Sequence, residues 1–109
     1  MKVDTKGHTT TIKDTQGDLM SFVMKVTHEY KTFEKGNLII DLTQYNNLSV
    51  KQINDFLPMS KVHKKAKKSF VIVADVDFNS VSDKLVLVPS VLEAHDIIDM
   101  EEIERDLGF

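Results

Sequence analysis

The chain predicts an α/β fold: a mixed sheet of four to five strands with a parallel centre, an N-terminal hairpin, and three to four helices covering the sheet. Three observations carry that expectation. "NLIIDL", "SFVIVADV" and "KLVLV" are continuous apolar runs rich in β-branched residues, the pattern of strands buried on both faces. Helical periodicity precedes the first run and follows it, and strands pointing the same way need crossovers that then cover the sheet. By contrast "KVDT" and "TTTIKD", on either side of Gly7, carry the threonine alternation of a partly exposed antiparallel edge.

The elements follow in order. Between residues 16 and 33 the apolar positions Leu19, Phe22, Val23, Val26, Tyr30 and Phe33 recur at spacings of three and four, which places them on one helical face closed by Gly36. A second helix is expected over residues 50–67 with Ile53, Phe56, Leu57 and Val62 as its core face. Pro58 lies inside it and offers no amide hydrogen to the carbonyl of Asn54, so a bend or break is expected near Leu57. The last helical region starts after Pro89, and Asp99 is placed to interrupt it, because "DMEE" can cap a final short helix carrying Met100, Ile103 and Leu107. Both strand-to-helix junctions read as capping boxes: "SVKQ" and "SVLE" each set a serine three residues before Gln or Glu, so that Ser49 and Ser90 start their helices.

Composition narrows the function classes. At 109 residues the chain has the length of one domain, and 41% hydrophobic with 28% charged residues is the balance of a globular protein rather than a disordered one. Apolar runs such as "LVLV" fall far short of the roughly 20 residues of a spanning helix. "MKVDTKGH" has no apolar signal-peptide core, so a cytoplasmic location without membrane attachment is expected. Without cysteine there is no disulfide and no thiolate ligand or nucleophile. The net charge of −3 is uneven: "KVHKKAKK" holds five lysines, whereas residues 93–106 hold seven acidic residues against one arginine. The lysines suit the last turns of a helix, and the acidic total with no aromatics between the lysines argues against nucleic-acid binding.

Taken together, hairpin, helix, "LIIDLTQYNNLS", helix, "SFVIVAD" and "LVLVPSVLEAHDII" resemble the STAS domain, the module shared by sulfate transporters and anti-sigma factor antagonists. "DLT" after the central strand stands where that family typically shows "DLS", and "VPSVLEA" is similar to its "PTxxEA" ending. The resemblance spans about residues 2–98 and implies a single STAS-like domain over residues 1–109 that docks a kinase-like or other regulatory protein partner. In phosphorylatable antagonists the turn before the second helix reads like "DSSG". Here Ser49 falls at the aspartate position and Val50 at the phosphoacceptor, so the usual switch residue is missing. Ser49 remains the secondary candidate for phosphorylation, since phosphate is favoured at a helix N-terminus. The ending "DIIDMEEIERDLGF" also resembles short bacterial proteins labelled ribonuclease Z, but His8, His28, His63 and His95 are isolated and do not form the dense ligand set a two-metal nuclease needs.

No GxSxG, Walker or GxGxxG motif is present, and four glycines leave little means of wrapping backbone around phosphate. No catalytic residue, metal or cofactor is therefore expected. The expected function is a non-catalytic regulatory or scaffolding module that binds another protein through Ser49, Val50, Lys51, Asn54 and Pro58. The alternative is a small-ligand or nucleotide sensor using Asp41, Asp75 and Phe78 at the C-terminal ends of the central strands, where open α/β sheets gather ligands. The hairpin edge and the helix bearing Met59 offer surfaces for a homodimer.

Overall fold

A computed structural model describes residues 1–45, 48–76 and 84–108. One five-stranded sheet runs in the order β1 (Lys2–Lys6), β2 (Thr9–Lys13), β3 (Asn37–Asp41), β4 (Phe70–Val73) and β5 (Val86–Val88). β1 and β2 form the antiparallel hairpin, and β2 through β5 are parallel. The α/β class, the mixed sheet, the N-terminal hairpin and the parallel centre are those the sequence predicts. Gly7 is the first of two turn residues and has φ of 61°, the position where a tight hairpin turn favours glycine. β1 is exposed along its whole length, whereas every residue of β3 and β4 is buried.

Helical segments cover the sheet in three regions. α1 (Leu19–His28) and α2 (Tyr30–Phe33) form the first, α3 (Val50–Asn54) and α4 (Leu57–Lys65) the second, and α5 (Val91–Asp106) the third. Leu19, Phe22 and Val26 of α1, with Ile53 of α3 and Phe56, pack on one face of the sheet against Ile12, Leu38, Ile40, Phe70 and Ile72. Ala94 and Ile98 of α5 cover the other face against Ile39, Val71, Val73 and Val88. Adjacent residues of the inner strands thus point into different cores, which is why these runs show no polar alternation. Among the described residues no helix is long and apolar enough to cross a membrane.

Three details depart from the sequence reading. The first helix begins at Leu19, because Asp18 caps it by accepting from the amide and hydroxyl of Ser21. Gly36 does not close that helix in a left-handed conformation; it is required because a Cβ there would stand 2.8 Å from the carbonyl oxygen of His8. α5 runs unbroken past Asp99 to Asp106, and the expected cap at "DMEE" does not form. Its last turns are held to the sheet by Glu102 and Arg105, and Met100, Ile103 and Leu107 face solvent rather than a core.

The second helix breaks where the proline requires. Pro58 sits in the first turn of α4, where its missing amide hydrogen has no helical partner to lose. Ile53 and Phe56 are buried as expected, and Ser60 and His63, each seven residues further on, are buried on the same side; Val62, about 180° around from Ile53, is not part of the core face and is 58% exposed. α4 closes in a Schellman motif. The amide of Lys68 donates to the carbonyl of His63 at 3.2 Å, that of Lys67 to Lys64 at 2.9 Å, and Lys67 itself takes φ of 63°.

Candidate functional site

The predicted docking residues surround the junction of α3 and α4. Ser49 is exposed, and its hydroxyl accepts from the amide of Gln52 at 3.1 Å while the Gln52 side chain accepts from the Ser49 amide at 2.9 Å. Both arms of the capping box are made, so the hydroxyl turns back onto the helix start. At Ser90 the serine arm is made, to the amide of Glu93 at 3.2 Å. Val50 is half-buried against the main core, Lys51 is exposed, Asn54 is half-buried, and Pro58 is exposed at the start of α4.

Pro58 opens onto an apolar trough that the sequence reading missed. Thr27 and Tyr30 form one wall and Asp55, Pro58, Met59 and Val62 the other, around a cleft of about 370 Å³. Thr27 also lines the adjoining depression with Val23, Met24, Lys25 and His28. Met20 and Met24, one turn apart on α1, extend this apolar surface to solvent. Val62 faces this trough because it lies nine residues after Ile53, about 180° around the helix at 100° per residue, on the side away from the core.

Beneath the trough lies a buried polar tie. His63 is fully buried, with Nε2 2.7 Å from the carbonyl oxygen of Gly36 and Nδ1 2.6 Å from the hydroxyl of Tyr30. A carbonyl only accepts, so Nε2 carries the hydrogen and Nδ1 accepts from Tyr30. Burial disfavours the imidazolium and holds the pKa of His63 below its ordinary value, with Lys68 acting in the same direction against the Gly36 hydrogen bond and Glu34. The Tyr30 hydroxyl is pushed up, first by burial and then by Glu34.

The alternative site, beyond the C-terminal ends of the central strands, holds its carboxylates in local contacts. Asp41 is buried and accepts from the amide and the hydroxyl of Thr43, at 3.0 and 2.6 Å. Asp75 is exposed, and Phe78 lies outside the described residues. Asp14, at the end of β2, accepts from the amides of Gln16 and Gly17 at 3.0 Å each and from the hydroxyl of Tyr45. Burial alone would raise the pKa of Asp14, but the Tyr45 hydroxyl and the backbone amides hold it below the ordinary carboxylate value. Burial and the adjacent Asp14 push Tyr45 up to about 12.

The opposite ends of the strands carry a second, polar cleft of about 370 Å³, lined by Lys35, Asn37, Lys67, Lys68, Glu102 and Arg105 among others. Asn37 is its organiser. Its side-chain oxygen accepts from the Ser69 amide at 2.9 Å and from Arg105 at 3.4 Å, and its amide nitrogen donates to Glu102. Arg105 also donates to the Ser69 hydroxyl at 3.1 Å. No three of His, Asp and Glu among the described residues converge as metal ligands. The chain matches no protein-family model, and no curated protein is significantly similar to it in sequence.

Proposed function

We propose that this chain is a non-catalytic protein-interaction module, regulatory or scaffolding in role, that docks its partner in the trough between α1 and α4 and on the adjoining start of α3. The single observation behind this reading is the trough itself: Met24, Thr27, Tyr30, Pro58, Met59 and Val62 present apolar surface side by side, an arrangement that scattered exposed residues on a monomer do not produce. The resemblance to STAS domains supports it, since antagonists of that family work by contact with a protein partner. Val50, where phosphorylatable members carry the acceptor, is a hydrocarbon that leans on the core, which favours docking without a phosphoswitch at that position. The ligand-sensor reading is less well supported, because Asp41 is already engaged by Thr43.

A photo-crosslinking residue tests the proposal when placed at Val62 in the trough and, as control, at Asp4 on the exposed β1 edge. A discrete protein adduct from position 62 and none from position 4, in cells that make the chain, is the expected result. No adduct at 62, or the same adducts from both, would overturn it.

A further inference from the structure

α5 is apolar on two opposite sides. Ala94 and Ile98 face the sheet, while Leu92, Met100, Ile103 and Leu107 are 58 to 74% exposed. At about 100° per residue these four fall within an arc of about 80° and form a stripe roughly 22 Å long on the solvent side. Large apolar side chains aligned along the solvent side of one helix, rimmed by polar residues, are the mark of an interaction surface. Glu93, Asp96, Asp99, Glu104 and Asp106 are exposed beside or within the stripe. The one arginine of the helix turns away from it, toward Ser69 and Asn37. The outer face of α5 is therefore an apolar strip bordered by carboxylates, with Asp96 within it between Leu92 and Met100.

The trough between α1 and α4 is its counterpart in both respects. Its floor is apolar, and the exposed cations Lys25, Lys61 and Lys65 stand on the two helices that form it, against Asp55 as the one carboxylate in the lining among the described residues. We propose that the occupant of the trough is a second copy of this chain, which lays the outer face of its α5 there with carboxylates toward Lys25, Lys61 and Lys65. This rests on the docking role given to the trough above. A symmetric contact of α5 with α5 would instead set carboxylates against carboxylates. Because α5 covers one face of the sheet and α1 and α4 cover the other, the two complementary surfaces point in opposite directions. Two copies cannot satisfy both at once, and association proceeds head to tail.

Sedimentation velocity or light scattering on the purified chain tests this with Val62→Glu and Ile103→Glu, both at exposed positions, and with Leu107→Glu as a second stripe variant. The expected result is a wild-type mass that rises with concentration past twice the monomer mass. Each variant alone stays monomeric, and Val62→Glu mixed with Ile103→Glu forms a one-to-one complex, since each still carries one intact surface. A wild type that remains monomeric at every concentration overturns self-association, while the crosslink at position 62 separately reports whether the trough docks a different protein. Self-association that survives Val62→Glu but is lost in the stripe variants overturns the head-to-tail geometry in favour of a symmetric α5 contact.

Discussion

At the N-terminal ends of the parallel strands, polar side chains reach across 27 to 68 residues of sequence; at the C-terminal ends, Asp41 and Asp14 bind backbone amides two and three residues away. Gly36, Asn37, His63, Ser69, Glu102 and Arg105 tie α4, α5 and the starts of β3 and β4 into one network. At the other end, among the described residues, the contact from Tyr45 to Asp14 spans 31 residues and that from the N-terminal amine to Thr15 spans 14. The contrast separates two uses of polarity. Carboxylates at the strand ends most often associated with ligands serve to shape turns, whereas the opposite ends hold the fold together through buried groups that have few other partners to turn to.

Substitutions at the two ends test that division. His63→Ala should be the most damaging, costing about 4 kcal/mol in urea unfolding, since it opens a cavity and strands the Gly36 carbonyl and the Tyr30 hydroxyl. Asn37→Ala should follow at about 3 kcal/mol, because the Ser69 amide and Glu102 both lose a partner. Tyr45→Phe, at the other end, should cost about 2 kcal/mol by removing a hydrogen bond to a charged acceptor. Ser49→Ala should cost about 1 kcal/mol, the usual value of a helix cap. If Tyr45→Phe proved as costly as His63→Ala, the division between the two ends would be lost.

Proton linkage sharpens the same comparison. The folded chain resists protonating His63, so below the ordinary pKa of 6.5 the unfolded chain takes up a proton that the folded chain refuses. Stability is therefore present above pH 6.5 and falls as the pH drops below it, and His63→Leu should remove this part of the slope. Tyr45 acts at the other extreme. Its folded pKa is raised from 10.0 to about 12, so its contribution is intact below pH 10 and is lost as the pH climbs toward 12. Tyr45→Phe should flatten that alkaline loss, leaving the smaller part that Tyr30 contributes.

The strands were legible because burial on both faces leaves a direct mark on composition, and Pro58 announced the helix break through its own chemistry. The buried side of the second helix was legible too, in the spacing of Ile53, Phe56, Ser60 and His63. Val62 stands nine residues after Ile53, about 180° around at 100° per residue, so it belongs to the outer side and not to the core face expected for it, while His63 falls on the buried side. Met100, Ile103 and Leu107 matched a core face by spacing, yet the anchoring of Glu102 and Arg105 turns that face outward. The trough and the polar network depend on pairs such as Tyr30 with His63 and Asn37 with Glu102, 33 and 65 residues apart. Sheet order brings such pairs together, and no local pattern encodes them. Asp18 was the readable signal passed over: an aspartate three residues before a serine, directly ahead of an apolar helix.

Lys67 occupies a left-handed backbone position that glycine tolerates better by about 1 kcal/mol, and its side chain borders the polar cleft. Exchange for glycine would relax the chain and discharge that rim in a single step. Comfort of the backbone and electropositivity of the cleft are thus opposed at one residue. The molecule as it stands keeps the cation and bears the tension.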